Sequence, residues 1–224
     1  MAKKIILFLV EGITDETSLG LILSRLYKGT GIRFHVVGTD ITSQNTTNTS
    51  NILIRLSDEI KSFQKGTYRD NDILQVVHLI DTDGAFVSDE HVVYEDPSDP
   101  IYTLDSIKTS HVDQMKNRNQ RKSSIINKLI GISKVRKVIP YMVFYFSCNL
   151  EHVIHDIQNL PWKVKIEYAE KFQDRFDGKE AEFVEFLKNE SFTVKGDYKE
   201  TWDFIKKDCN SLNRYCNFHL YFTV

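Results

Sequence analysis

The chain has 224 residues, 41% of them hydrophobic and 27% charged, with four prolines and ten glycines. That balance suits a folded globular protein with a core of its own and excludes collagen-like, low-complexity and disordered chains. Lys plus Arg is 29 against 31 for Asp plus Glu, a formal net charge of −2, which excludes a uniformly basic nucleic-acid coat but allows a local basic face.

Ile5 to Val10 is a continuous apolar run of strand length, the pattern of a central parallel strand buried on both faces. It is too short for a secretory leader or for a membrane span, which needs about 20 apolar residues. The three cysteines are Cys148, Cys209 and Cys216, with no CxxC pair. They form neither a disulfide framework nor a zinc site, and a reduced, cytoplasmic location without membrane contact is expected. Glu11-Gly12 breaks the strand. Thr14 is the expected N-cap of a helix, with Asp15 and Glu16 in its first turn and Leu19, Ile22, Leu23 and Leu26 at helical spacing. Gly29 and Gly31 are expected to end it.

Ile32 to Val37 reads as a second strand, and the Ser/Thr/Asn cluster from Thr39 to Asn51 as a polar loop. Ile52, Leu53, Leu56, Ile60 and Phe63 mark an amphipathic helix closed near Gly66. Ile73 to Ile80 is a third strand, ending at Asp81-Thr82-Asp83-Gly84, and Val138 to Phe146 is a fourth. Pro140 falls near the start of the fourth, where a missing N–H is tolerated. A helix follows over about 149–157, and the chain reads as helical from Pro161 to about Asp208, with Tyr168, Phe172 and Phe176 on one stripe.

Strands alternating with helices imply an α/β fold, a Rossmann-like parallel sheet of about four strands with flanking helices. An insertion over about 85–137 follows the third strand. The expected division is an α/β domain over 1–160 and a helical C-terminal extension over 161–224, packed on it.

The insertion is split by charge. From Asp81 to Asp105 there are eight acidic residues and no Lys or Arg; from Lys108 to Lys137 there are nine basic residues against Asp113 alone. Arg118, Arg121 and Lys122 are the densest part and are candidates for holding a nucleic-acid phosphate backbone. A solvated helix face that balances the acidic half is the alternative.

Ligands of open α/β sheets bind at the carboxyl ends of strands. Glu11 ends the first strand, and Asp81 and Asp83 end the third. Two carboxylates two residues apart suit one hard cation such as Mg2+, and adding Glu11 makes a like-charge cluster that a divalent cation would neutralise. After the fourth strand, Ser147 precedes Glu151 at a helix start, with His152 and His155 beside it. A first-turn Glu is also favoured by the helix dipole alone, and single histidines are mostly core or surface groups.

Leu9-Val10-Glu11-Gly12-Ile13-Thr14-Asp15 and Leu79-Ile80-Asp81-Thr82-Asp83-Gly84, in this order of elements, resemble the two motifs of the Toprim domain, over about residues 4–84 and 142–147. Phe144 to Asp156 is similar to the strand–Ser/Asn–Glu–helix element of small OLD-like and RloB-like Toprim nucleases of phage defence. The resemblance implies a phosphodiester-cleaving nuclease dependent on Mg2+ or Mn2+. Glu11 would act as ligand or general acid/base, Asp81 and Asp83 as metal ligands, and Glu151 at a second metal with Ser147 in support. Asp15 matches the weaker acid of the first motif and equally suits a helix first turn. The substrate would be DNA or RNA, and a separate ABC-type ATPase the partner, because this chain has no Walker A motif. The 85–137 insertion departs from a minimal Toprim domain.

The chain is too short for topoisomerase strand passage, and its cysteine spacing denies a primase zinc module. Two other readings stay open. Asp81-Thr82-Asp83-Gly84 looks like the nucleophile motif of haloacid-dehalogenase-type phosphatases, although that motif normally sits on the first strand. A glycosyltransferase DxD is weaker. A non-catalytic Toprim-like protein that binds nucleic acid or a partner is the third class, against which the presence of all three acids counts.

Overall fold

The computed structural model describes residues 4–27, 31–37 and 40–222; Gly29 and Thr39 lie outside them. The fold is α/β. A six-stranded mixed sheet has the order β2 (Gly31–Val36), β1 (Ile5–Val10), β3 (Ile73–Asp81), β8 (Ile139–Ser147), β7 (Lys134–Val135), with β9 (Tyr215–Cys216) also paired to β8. A separate three-stranded sheet has the order β4 (Val92–Tyr94), β6 (Ile107–Thr109), β5 (Ile101–Tyr102). Among the described residues no helix is long and apolar enough to cross a membrane.

The chain divides into two compact units, each assembled from three stretches. The first is 1–79, 124–144 and 169–180; the second is 80–123, 145–168 and 181–224.

In the first unit β1 is buried along its whole length. It pairs in parallel with β2, Ile5 opposite Gly31 through Val10 opposite Val36, and with β3, Leu9 opposite His78. Helix α1 (Ile13–Leu26) buries Leu19, Ile22 and Leu23. Its N-cap is Gly12 and not Thr14, because the Asp15 carboxylate reaches back to accept the Gly12 N–H at 3.0 Å. Gly31 does not stop that helix; it is the first residue of β2. Helix α2 (Ile52–Gln64) buries Ile52, Leu56 and Ile60, while Leu53, expected on the same stripe, is 39% exposed. Lys65 (φ 37°) and Gly66 (φ 79°) turn left-handed and end it. The polar loop before α2 is held by Asn48 and Asn51, each side-chain oxygen accepting the other residue's N–H at 2.9–3.2 Å.

The second unit contains most of the insertion, which is neither loop nor plain helix. Its strands β4 and β6 are parallel and β5 is antiparallel to β6. Val87, Val92, Ile107 and Leu212 close a small core beneath them. Helix α3 (Val112–Ile130) begins here, followed later in the chain by α4 (Leu150–His155), α5 (Trp162–Arg175), α6 (Glu180–Leu187) and α7 (Tyr198–Ile205). The C-terminal region is therefore not only helical. Residues Tyr215 and Cys216 pair antiparallel with Ser147 and Phe146 at the end of β8. The expected parallel sheet of about four strands is thus a mixed sheet of six, because two-residue strands add antiparallel to β8.

Candidate functional site

In the second unit the chain leaves β3 through Asp81-Thr82-Asp83-Gly84, and the backbone of this turn is held on three sides. The Thr82 N–H donates to the Phe146 carbonyl at 3.1 Å, the Asp83 N–H to the Cys148 carbonyl at 2.8 Å, and the Gly84 N–H to the Ser211 carbonyl at 3.1 Å. Thr82 is fully buried and its hydroxyl donates to the same Ser211 carbonyl at 2.8 Å. Asp83 has φ 47° and Gly84 φ 66°, a left-handed pair in which Asp is among the few tolerated residues. At Gly84 a Cβ would stand 2.5 Å from Leu212 Cδ2, so only glycine fits. The turn is thereby fixed, and both Asp residues are half-buried.

Asp81 Oδ1 accepts the N–H of Leu150, the first residue of α4, at 2.9 Å. Asp83 meets two cations. Lys122 Nζ lies 2.6 Å from its Oδ2, and Arg118 Nη1 lies 3.5 Å from the same oxygen while Nη2 donates to the Asp83 carbonyl at 2.8 Å. Arg118 and Lys122 are four apart on α3, hence on one face of it. Lys122 is 0% exposed, so its ammonium faces Asp83 and not solvent. Arg121 is half-buried. The basic run is tied to the acidic run a second time, where Lys108 Nζ lies 2.8 Å from Glu95 Oε2.

Both Asp side chains line a cleft of about 520 Å³, together with Tyr102, Asn149, Trp162 and Lys165. Burial, and next the charge of Asp83, push the Tyr102 phenol up. Burial also pushes up the Cys148 thiol, with Asp83 and Asp81 adding to it, so Cys148 is not poised as a nucleophile. Glu151, 6% exposed at its side chain, accepts from Lys165 at 3.0 Å. Ser147 is fully buried and its hydroxyl donates to the Asn210 carbonyl at 3.1 Å, a contact within the structure around the turn. His152 Nδ1 accepts the Cys148 N–H at 3.2 Å, and burial lowers this histidine to about 4. His155 packs edge-on against Tyr168, ring centres 5.1 Å apart.

In the first unit Glu11 follows β1, and Asp40 follows the adjacent strand β2. Each offers a carboxylate oxygen, and the two lie within 4.8 Å of one another. Asp40 Oδ1 also accepts the Thr42 N–H at 2.7 Å, an Asx turn that fixes its rotamer. Asp15 caps α1 as described. No family model, curated protein or solved structure matches the chain.

What the site can do therefore rests on its donor set. Every candidate ligand is a carboxylate oxygen, the hard donor that Mg2+ and Mn2+ take. The Glu11 and Asp40 oxygens, within 4.8 Å of one another, are close enough that one such ion could be held between them. Asp83 directs Oδ2 to Lys122, which leaves Oδ1 as its candidate ligand atom. Asp40 went unread in the sequence because it sits in a polar loop. Its signal was an acid with Thr two residues on, just past the carboxyl end of a parallel strand. Lys165 and Trp162 carried no sequence signal beyond being a cation and an aromatic on a helix.

Proposed function

We propose that this protein is a Toprim-like nuclease that hydrolyses phosphodiester bonds of DNA or RNA with Mg2+ or Mn2+. The observation that carries the reading is the turn after β3, which sets Asp81 and Asp83 on the wall of a cleft at the carboxyl end of a strand. In the proposal Asp81 and Asp83 would hold the cation, and Glu11, with Asp40 beside it, would act as ligand or general acid/base. Glu151, which now accepts from Lys165, would be the ligand of a second ion. A divalent cation supplies a Lewis acid for the phosphate and a lowered pKa for water. The Leu150 N–H at the start of α4 orients the Asp81 carboxylate. Lys122 pairs with the Asp83 carboxylate at 2.6 Å.

A role in phage defence with a separate ABC-type ATPase is part of the same proposal, carried by the motif resemblance alone. The phosphatase reading is weaker here, because Asp81 Oδ1 is engaged by a backbone N–H and the motif follows the third strand of the chain.

The test incubates wild type with supercoiled plasmid, single-stranded DNA and single-stranded RNA in Mg2+ or Mn2+, beside para-nitrophenyl phosphate. Asp81→Asn is the matched variant, since its amide oxygen still accepts the Leu150 N–H while the charge is gone. Cleavage by wild type that EDTA abolishes and Asp81→Asn lacks is the expected result. Turnover of the phosphate ester without cleavage would replace the nuclease by the phosphatase.

A further inference from the structure

The cleft wall carries an exposed aromatic residue that metal chemistry does not need. Trp162, the first residue of α5, is 77% exposed and lines the same cleft as Asp81 and Asp83. A Trp side chain is usually mostly buried, and the other tryptophan of the chain, Trp202, is 1% exposed. The indole is also not isolated from charge. Lys163 Nζ stands 5.9 Å from its ring centre, and Lys165 lies along the cleft wall.

The rim that carries the indole is braced. Asn159 accepts the Tyr102 N–H at 2.9 Å and donates to the Tyr102 carbonyl at 2.7 Å. Gln158 donates to the Thr103 carbonyl at 3.0 Å and to the Leu212 carbonyl at 2.8 Å. The Pro161 carbonyl accepts the Val164 N–H at 3.0 Å, at the start of α5. An aromatic face held open on a braced rim loses little freedom on contact with a ligand.

We propose that Trp162 is a stacking platform for an unpaired nucleobase, so that the cleft takes single-stranded nucleic acid. The inference rests on the nuclease reading of the acids and names its substrate class. A flat face, an ammonium beside it and a cation-binding carboxylate pair farther in match the three parts of a nucleotide chain. The base lies on the indole, one phosphate meets Lys163, and a phosphate farther in reaches the acids. A base in a duplex is already stacked on both faces and offers none to Trp162. A base in a single strand offers a face, and stacking of this kind tolerates any sequence.

The experiment uses the two tryptophans directly. Wild-type fluorescence is followed as a ten-nucleotide dT or rU strand, or a duplex of equal length, is added, with Ca2+ replacing Mg2+ to suppress turnover. Labelled-strand anisotropy gives the affinity of wild type, Trp162→Phe and Trp162→Ala. The expected result is saturable quenching by the single strand and little by the duplex, with no quenching in Trp162→Phe, whose remaining Trp202 is buried. Affinity should fall about ten-fold or more in Trp162→Ala and recover most of the way in Trp162→Phe. Equal affinity of wild type and Trp162→Ala for the single strand would overturn the proposal, as would equal quenching by duplex. If Trp162→Ala instead changes the oligomeric state and leaves strand affinity untouched, the indole covers a protein partner and the proposal fails. Cleavage lost in Asp81→Asn but unchanged in Trp162→Ala would leave the nuclease reading standing and remove this one. Stacking without cleavage in wild type would do the reverse.

Discussion

Replacing Lys122 by Met tests whether the buried ammonium stabilises the turn of acids. Met is close in length and volume, so the change removes charge more than packing. At 2.6 Å and an effective dielectric constant of about 20, two unit charges attract by about 6 kcal/mol. Three features reduce the net effect. Burying Lys122 costs solvation that the Met variant recovers. Arg118 remains 3.5 Å from the same oxygen, and Asp83 is 24% exposed, so water reaches it. The expected loss is about 3 kcal/mol, at the lower edge of what breaking a buried pair costs. For a chain of this size that is a fall in Tm of about 6–12 °C, read by circular dichroism with EDTA present. At a Mg2+ concentration about 100 times the wild-type Kd, binding would return about 2.7 kcal/mol to wild type and more to the variant, whose Kd is lower because the cation replaces the missing positive charge. A variant within about 2 °C of wild type in EDTA would refute the argument that Asp83 depends on this ammonium.

Other measurements bear on separate elements. His152, lowered to about 4 by burial against an ordinary 6.5, stays neutral in the fold while the unfolded chain takes up the proton. Stability should therefore be complete above pH about 6.5 and fall by roughly 3 kcal/mol down to pH about 4. Urea unfolding across that range checks it, and the same slope in His152→Gln would sink the assignment. Gly84→Ala, with φ 66° and its Cβ 2.5 Å from Leu212, should cost about 2–4 kcal/mol from strain and overpacking and lower any cleavage with it. Asp197→Ala removes the α7 cap that accepts the Glu200 N–H at 2.8 Å. It should cost about 1 kcal/mol in thermal unfolding and leave cleavage unchanged.

The strands that were legible are those buried on both faces. β1, β3 and β8 announce themselves because a central strand has no solvent face to break its apolar run. Helix α2 was legible from Ile52, Leu56 and Ile60, yet Leu53 shows that an apolar residue beside the stripe need not join it. The start of α1 was misplaced because Thr14 has the chemistry of a cap, whereas Asp15 reaching back to Gly12 sets the boundary. Strands of two or three residues, such as β5 and β9, are too short to show a period. The acids after β3 were legible because carboxylates at the end of an apolar run have no packing role. Lys122 was not. Its spacing to Arg118 puts the two on one face, but only the neighbouring turn decides that this face looks inward. Asp40 was hidden for a similar reason, since its neighbour Glu11 lies 29 positions earlier in the chain.

The three-stretch construction of each unit has a consequence for synthesis. Residues 169–180 belong with the amino-terminal 79, so a nascent chain released at position 160 lacks a part of the unit it began. The ribosome must deliver the chain through residue 180 before that first unit has all its pieces. Deletion from either end removes material from both units or leaves one incomplete, and a cut-down version for expression has no natural seam.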